Sequence, residues 1–438
     1  MIEDKKYYRI EGGHPLDGTV SVSGAKNAVT KQLVASLLTD EPCHIGNIPK
    51  IKEIEKVLEM LSEVGTQYEK IDNDTLRVHT PTIKNTVISQ KHSGSNRIPI
   101  LMLAPIFHRV GEVTVPMLGG CKIGARPVNF HTNGLEQMGA EVKVTNNQFM
   151  ITGTKLHGNH IKLPFPSVGA TENLIMAATL AKGRTVIHNA AVEPEIIDII
   201  LFLQKMGALI KVDVDRRIII EGVDKLNGAR HWAIPDRIEV ASFAAAAVAT
   251  NGRITVKNAQ QEHIISFLNA LRKVGGDFEV TDGGIAFFRK DNDLYPTNLE
   301  TDVHPGFMTD WQQSFAVILT QAHGASVIHE TVMSKRFGYT EALSKMGAQI
   351  KLHIDCLGSR SCRYRDQNHL HSCIITGPTP LQGQKITIPD LRAGFAYIIA
   401  ALVAEGVSEI RGIHNVERGY ARIPARLRNI GAFIEVIL

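Results

Sequence analysis

The stretch LQKMGALIKV, residues 203–212, contains the pattern that decides the fold. Leu203 and Met206 stand three positions apart, on one face of a helix. Gly207 follows where a helix C-cap takes a left-handed residue, and the alternating run after it is typical of a strand. The pattern recurs five more times, as LSEVGTQYEK (61–70), LEQMGAEVKV (135–144), LRKVGGDFEV (271–280), LSKMGAQIKL (343–352) and LRNIGAFIEV (427–436). The chain is therefore predicted to repeat one helix–glycine–strand unit six times.

A second pattern precedes each copy of the first. It consists of a small-residue helix, a turn and a β-rich run, as in AATLAKGRTVIHNA at 177–190. The complete unit is about 70 residues long, which exceeds the length of a solenoid repeat. These observations predict an α/β protein in which a compact subdomain is repeated in two groups of three.

Composition restricts the class of protein. The 438 residues are 44% hydrophobic and 21% charged, which is typical of a soluble globular protein with two or more domains. A net charge of +4, with both signs interspersed, argues against a nucleic-acid-binding arm. Five sparse cysteines, an N-terminus unlike a signal peptide and no apolar run of about 18 residues predict a cytoplasmic protein with free thiols and no membrane span.

The segment that starts the first helix of each unit combines a small or capping residue with a charged or amide group. The six segments are SGAKNA (23–28), SGSNRI (93–98), SVGATEN (167–173), PDRIEVAS (235–242), MTDWQQS (308–314) and DLRAGF (390–395). N-capping explains the Ser and Asp residues. It does not explain Lys26, Arg97, Arg237 and Arg392, because a cation opposes the helix dipole at this end. These four residues therefore predict a bound anion.

The stretch GGCKIGARP, residues 119–127, is too rich in glycine for a helix interior. It places Cys121 near Lys122 and Arg126, which favour a thiolate if they lie close to the sulfur. Two interpretations follow from these residues alone: a surface loop with an incidental cysteine, or a loop with a reactive thiol.

Eight motifs in order give the chain a resemblance, over its whole length, to the enolpyruvyl transferase family. They are SGAKNA, LGGCKIGARPV, SVGATEN, EPEIID, IPDRIE, TDWQQ, DLRAG and ERGYARI. The resemblance implies a two-domain inside-out α/β barrel of six βαβαββ-like units, three in each domain. One domain would comprise residues 26–235, and the other residues 1–25 and 236–438.

The family has two main branches, and the chain resembles the one that acts on UDP-N-acetylglucosamine. That resemblance implies transfer of the enolpyruvyl group of phosphoenolpyruvate to the 3′-hydroxyl of UDP-N-acetylglucosamine, with release of phosphate, through a tetrahedral intermediate. This reaction is the first committed step of peptidoglycan synthesis. No cofactor, catalytic metal or nucleic-acid partner is implied.

The resemblance also implies the roles of individual residues. Cys121 would be the general acid on a mobile lid and the target of fosfomycin, Asp310 the base at the sugar hydroxyl, and Lys26 a catalytic cation. The substrate-binding residues would be Asn27, Arg97, Arg126, Pro127, Val128, Ser167, Val168, Gly169, Val332, Arg336, Arg392 and Arg418.

Three alternatives remain open. The acceptor could be another uridine nucleotide such as UMP, or shikimate 3-phosphate, although the shikimate branch lacks a cysteine lid. The third alternative is a non-catalytic paralogue that binds a sugar nucleotide, against which the intact set of Cys121, Asp310, Lys26 and Arg418 argues.

The segment 353–373 is longer than the resemblance predicts and contains three cysteines and three histidines. Their spacing fits no familiar Cys-x₂-Cys zinc pattern. We therefore expect a lengthened hairpin without a metal, and a structural zinc site is the alternative.

Overall fold

The computed structural model describes residues 6–119, 127–360 and 362–438. Helices and strands alternate along this part of the chain, which confirms the predicted α/β class. The helices are α1 Lys26–Ala35, α2 Lys52–Glu63, α3 Leu103–Val110, α4 Asn129–Gln137, α5 Val168–Thr179, α6 Pro194–Lys205, α7 Arg237–Ala249, α8 Ile265–Lys273, α9 Gln312–Thr320, α10 Thr340–Lys345, α11 Leu391–Val403, α12 Ile413–Val416 and α13 Ile423–Arg428. Within these ranges, none of the helices has both the length and the apolar composition that a bilayer crossing requires.

The strands are short, with two to six residues each. They are β1 Tyr7–Glu11, β2 Asp17–Ser21, β3 Cys43–Gly46, β4 Gln67–Lys70, β5 Leu76–His79, β6 Glu112–Pro116, β7 Glu141–Val144, β8 Gln148–Thr152, β9 His160–Lys162, β10 Arg184–His188, β11 Leu209–Asp213, β12 Arg217–Glu221, β13 Arg230–Trp232, β14 Arg253–Lys257, β15 Gly276–Thr281, β16 Gly284–Arg289, β17 Leu299–Glu300, β18 Gly324–His329, β19 Gln349–His353, β20 Ser372–Gly377, β21 Lys385–Thr387, β22 Val407–Arg411 and β23 Phe433–Ile437.

The six copies of the opening pattern all form the predicted helix, glycine and strand. The helices α2, α4, α6, α8, α10 and α13 are followed by glycines with a positive φ, and then by β4, β7, β11, β15, β19 and β23. In the copy quoted above, φ of Gly207 is 105°, and the N–H of Ala208 donates to the carbonyl of Leu203 at 2.9 Å. This bond is the 6→1 bond of a Schellman motif. It forms in four further copies, at Thr66–Leu61, Ala140–Leu135, Ala348–Leu343 and Ala432–Leu427.

The described chain forms two compact units. One contains residues 24–119 and 127–234, and the other contains residues 6–23 and 235–438. The first unit has sheets with the strand orders β13-β3-β5-β4, β6-β8-β7 and β11-β12-β10-β9. The second has the orders β15-β16-β14-β2, β17-β18-β20-β19 and β21-β22-β1-β23. Each unit therefore contains three sheets, and the inside-out barrel arrangement of two domains stays a prediction.

The N-terminal strands complete sheets built by the C-terminal part of the chain. Strand β1 pairs antiparallel with both β22 and β23, so that Arg9 lies opposite Glu409 and Glu435. Strand β2 pairs parallel with β14 over residues 17–21. The sixth unit of the repeat is thus closed by the first strand of the chain.

Helices that are buried on nearly every side form the interior of each unit. In the second unit α7, α9 and α11 pack against one another, and α7 and α9 are buried at every residue. In the first unit α5 packs against α3, α4 and α6. A helix without a polar face is stable only when it is surrounded by protein. Five of the six predicted start segments lead directly into such a helix or into α1, and SGSNRI leads into a short 3₁₀ turn at Pro99–Met102 before α3.

The left-handed glycine that ends a helix in every repeat can be tested at Gly431. This residue has φ of 92° and open space where a Cβ would lie. We expect Gly431→Ala to lower the free energy of unfolding by about 1–3 kcal/mol, because only the backbone conformation opposes the new side chain. The measurement is urea denaturation followed by circular dichroism.

Gly338→Ala is the matched control, since Gly338 also has open space around its Cβ position but no positive φ. Its effect should stay within about 0.5 kcal/mol. Equal effects of the two substitutions would contradict the role given to the left-handed glycine.

Candidate functional site

The predicted site residues that the structure describes are divided between the two units. Cys121 and Arg126 lie outside the described residues, and so does the side chain of Arg392. The first unit contains Lys26, Asn27, Arg97, Pro127, Val128, Ser167, Val168 and Gly169. The second contains Asp310, Val332, Arg336 and Arg418.

In the first unit, three predicted residues act on His131 of α4, one through its backbone, one by close packing and one by its charge. The backbone N–H of His131 donates to the carbonyl of Val128 at 2.9 Å. A Cβ at Gly169 would lie 3.3 Å from Cε1 of His131, so α5 approaches this ring closely. Burial, and to a lesser degree the positive charge of Arg97, lower the pKa of His131 to about 3. The buried His131 is thus neutral, and the charge of the half-buried Arg97 helps to keep it so.

Ser167 caps the N-terminus of α5. Its Oγ accepts the N–H of Ala170 at 3.4 Å, and its carbonyl accepts the N–H of Thr171 at 2.9 Å. Ser167, Val168 and Gly169 are all half-buried. The first N–H groups of a helix have no acceptor within the helix, so this turn suits an anionic ligand.

Lys26 and Asn27 form the start of α1, and both are half-buried. The preceding residue, Ala25, donates its N–H to the carbonyl of Ile234 at 2.7 Å. The carbonyl of Lys26 accepts the hydroxyl of Thr30 at 2.8 Å. The backbone therefore fixes the place at which the Lys26 side chain leaves the helix.

Asp198, the last residue of the EPEIID motif, holds α1 in place. Its buried carboxylate accepts hydrogen bonds from Nε2 of Gln32 on α1 at 2.6 Å, from Nε2 of His231 at 2.8 Å and from the N–H of Ile234 at 3.2 Å. The sequence analysis assigned no role to this motif. A charged residue within the apolar helix PEIIDIILFLQK was the available signal.

Glu172 is a second acidic group that the sequence analysis missed. It lies on α5, it is 1% exposed, and its carboxylate is 3.7 Å from Nζ of Lys31 on α1. Burial raises the pKa of Glu172 to about 7, although Lys31 acts in the opposite direction. The pair links the two helices whose N-termini carry Lys26 and Ser167.

In the second unit, Asp310 and Arg336 form a buried ion pair. Nη2 of Arg336 donates to Oδ1 of Asp310 at 2.5 Å, and Nε of Arg336 donates to the carbonyl of Thr309 at 3.3 Å. The side chain of Asp310 is 9% exposed and that of Arg336 is 2% exposed. The sequence analysis attributed the Asp residues of the start segments to N-capping, but α9 begins at Gln312 and has Trp311 as its N-cap. A charge-assisted hydrogen bond therefore orients the Asp310 carboxylate.

Glu330 connects this pair to the segment with Val332. The carboxylate accepts the hydroxyl of Thr309 at 2.8 Å, the N–H groups of Val332 and Met333 at 2.7 Å each, and Nε2 of Gln312. Burial raises the pKa of Glu330, against the effect of these hydrogen bonds. The sequence analysis missed Glu330, whose signal was an acidic residue directly after the apolar strand SVIH.

The motif DLRAG approaches the motif ERGYARI and the residue before it, Val416, at two points. A Cβ at Gly394 would lie 2.8 Å from Cβ of Val416, and a Cβ at Gly419 would lie 2.6 Å from Cδ1 of Leu391. The half-buried Arg418 therefore belongs to a segment that packs against the first turns of α11.

Arg237, one of the four cations that predict a bound anion, is buried. It is 2% exposed, and its guanidinium carbon lies 5.6 Å from the ring centroid of Trp311. The helix start itself is capped by Asp236, which accepts the N–H of Ile238 at 2.8 Å. At the start of α7, the Arg237 guanidinium therefore has an aromatic contact with Trp311.

The long segment 353–373 connects two paired strands. Strands β19 and β20 are antiparallel, with His353 opposite Ser372, so the segment is the connection of a hairpin. Four potential metal ligands come together there: His329, Cys356, Cys362 and His371. No cofactor was predicted, and these residues were not among the predicted site residues.

Comparisons with known proteins agree with this architecture. Residues 10–427 match the family model of EPSP synthase (3-phosphoshikimate 1-carboxyvinyltransferase). A UDP-N-acetylglucosamine 1-carboxyvinyltransferase of Protochlamydia amoebophila is 49% identical over 98% of this chain and 94% of its own length. The enzyme of that name from Chlamydia abortus is 50% identical over 97% of both chains.

Among solved structures, the enolpyruvyl transferase NikO from Streptomyces tendae superposes with a TM-score of 0.86 at 20% identity, covering 98% of both chains. This similarity shows the fold. The family match and the two relatives establish that the chain belongs to the EPSP synthase family, in the branch of the UDP-N-acetylglucosamine 1-carboxyvinyltransferases.

Proposed function

We propose that this protein transfers the enolpyruvyl group of phosphoenolpyruvate to the 3′-hydroxyl of UDP-N-acetylglucosamine and releases phosphate, in the first committed step of peptidoglycan synthesis. The observation that carries this proposal is the 49% and 50% identity, over nearly the whole chain, to relatives named for the activity. The four described cysteines are free, as in the reducing cytoplasm in which we place the reaction.

Asp310 is the proposed base at the sugar hydroxyl. Its 2.5 Å hydrogen bond with Arg336 supports this role, because a fixed carboxylate loses little orientational freedom when it accepts a proton. Arg336 is then a positioning residue as well as a positive charge in the site. The Glu330 carboxylate accepts a hydrogen bond from the hydroxyl of Thr309, the residue before Asp310. It also accepts one from the N–H of Val332, in the segment that leads to Arg336.

The first unit is proposed to bind the phosphates of the nucleotide. Arg97, whose charge also acts on the neutral His131, supplies a positive charge, and the capped start of α5 at Ser167, Val168 and Gly169 supplies N–H groups. Lys26 and Asn27 would act from the start of α1 on phosphoenolpyruvate and on the sugar. Pro127 and Val128 complete the nucleotide contacts in this proposal.

The other assignments depend on the sequence motifs. Cys121 is proposed as the general acid that protonates the methylene carbon of phosphoenolpyruvate. Arg126, Arg392 and Arg418 are proposed to bind the phosphate and carboxylate groups, for which arginine offers paired donors. The two compact units are the proposed counterparts of the domains 26–235 and 1–25 plus 236–438.

The acceptor can be tested directly with the purified chain. We expect phosphate release from phosphoenolpyruvate with UDP-N-acetylglucosamine, and none above background with UMP or with shikimate 3-phosphate. Release with one of the other acceptors instead would assign the chain to a different reaction of the family. Binding of the sugar nucleotide without any release would identify a non-catalytic paralogue.

The assignment of Cys121 predicts selective modification. Fosfomycin should add its mass to Cys121 alone, as measured by peptide mass spectrometry, and Cys121→Ser should lose most of the turnover. Cys43→Ser is the control, because Cys43 is buried and burial raises its pKa to about 11. Modification at Cys356, Cys362 or Cys373 in place of Cys121 would refute the assignment.

The base assignment predicts a defect in turnover. Asp310→Asn should lower kcat by about 10²–10⁴-fold, because the amide keeps the shape of the side chain but cannot accept the proton. Asp277→Asn is the matched control, since Asp277 also accepts a hydrogen bond from an arginine, Arg272, at 2.9 Å in the same unit. An Asp310→Asn variant that retains wild-type kcat would exclude Asp310 as the base.

A further inference from the structure

We propose that His329, Cys356, Cys362 and His371 bind one zinc ion, which fastens the β19–β20 connection to the end of β18. The four ligand atoms all lie within 4.8 Å of one another, and Nε2 of His371 is 3.3 Å from Sγ of Cys356. Tetrahedral zinc with nitrogen and sulfur ligands separates neighbouring ligand atoms by about 3.3–3.8 Å. Small movements of the side chains would therefore complete the coordination.

Both histidines present the same nitrogen to the cluster. Nδ1 of His371 lies 2.7 Å from the carbonyl of His369, and Nδ1 of His329 lies 3.1 Å from Oε2 of Glu300. Each Nδ1 therefore carries the hydrogen, which leaves a lone pair on Nε2. Zinc-bound histidines commonly have such an oxygen acceptor on the other ring nitrogen.

The Nε2 atom of His329 is a buried polar atom that needs a partner. The side chain of His329 is 0% exposed, and within the described residues Nε2 has no hydrogen-bond partner. Leaving such an atom unsatisfied is costly. A metal ion in the cluster would satisfy it, and this observation points to a ligand independently of the cysteines.

Hydrogen bonds to Glu300 and to Cys362 hold the loop around the four ligands. The carboxylate of Glu300, which holds His329, also accepts the N–H of Ser359 at 3.0 Å, its hydroxyl at 2.9 Å and the N–H of Arg360 at 2.8 Å. Sγ of Cys362 accepts the N–H of Tyr364 at 3.3 Å. These bonds fix the loop that places both thiols.

The charge of the cluster fits zinc in a buried site. Three of the four side chains are buried and Cys356 is half-buried. Each thiol would lose one proton on binding, and two thiolates then neutralise Zn²⁺. Imidazole and thiolate are ligands that favour zinc over magnesium or calcium. With four protein ligands the site would be structural, because no position is left open for a substrate.

The anchored segment also supports the proposed active site. The hydroxyl of Tyr364 donates to the carbonyl of Val332 at 2.8 Å, and Nη2 of Arg363 donates to the same oxygen. The segment with Val332 leads to Arg336. We therefore expect zinc to stabilise this part of the second unit, and any effect on turnover depends on the proposed function.

Metal content of the untagged full-length protein tests the proposal without reference to activity. Inductively coupled plasma mass spectrometry should find about one zinc ion per chain. Replacement of zinc by Co²⁺ should give a thiolate-to-cobalt absorption band, and a chelator that removes the metal should lower Tm. Cys362→Ala and His329→Gln should lose most of the bound metal.

Matched controls lie in the same hairpin. Cys373 and His353 stand in β20 and β19 and are not members of the cluster, so Cys373→Ala and His353→Gln should retain zinc. If a ligand variant does not fold, the cobalt spectrum of the wild-type protein decides, because thiolate ligation is visible in it.

Three results would overturn the proposal. The first is a purified protein that neither contains zinc nor takes up zinc or cobalt. The second is a crosslinked peptide that shows a disulfide between Cys356 and Cys362 in place of a metal. The third is equal loss of zinc in the ligand variants and in the controls. Because none of these measurements uses a substrate, they stand apart from the test of the transferase activity.

Discussion

The structure depends on one backbone constraint, the left-handed glycine that ends a helix in each of the six units. The glycine reverses the chain direction, and the hydrogen bond to the leucine carbonyl, as between Ala208 and Leu203, fixes where the next strand begins. A residue with a Cβ would be strained at this φ. Because the same turn is made six times, three sheets form in each compact unit, and apolar helices such as α7 and α9 can be enclosed by them.

Buried carboxylates connect this framework to the proposed site. Asp198 holds α1, and thereby the start of the helix with Lys26, while Glu330 holds the segments of Asp310 and Val332. Each carboxylate satisfies several backbone or side-chain donors at once, so removing it would leave several buried donors without an acceptor. Such groups do not touch a substrate in our proposal, but they determine where the residues that do so are placed.

The proposed zinc site shows how one repeated position can acquire a different use. His188 and His329 stand at the same place in the sequences VIHNA and VIHET, each at the end of a strand. His188 is half-buried and stacks on His160 at 5.8 Å, whereas His329 is covered by the long β19–β20 connection. The insertion therefore converts an ordinary strand-end histidine into a potential metal ligand, which gives the lengthened hairpin a physical reason to be ordered.

The sequence by itself determined the α/β class, the six helix–glycine–strand units and the helix starts, because these features depend on residues within about ten positions of one another. Its motifs also determined the family and the set of candidate residues. Only the tertiary structure decided that β1 closes the sixth unit, that Asp310 pairs with Arg336, and that Arg237 lies against Trp311. It also decided that His329 joins Cys356, Cys362 and His371. These contacts join residues far apart in the chain, and spacing along the chain carries no signal for them, since packing of separate elements brings them together.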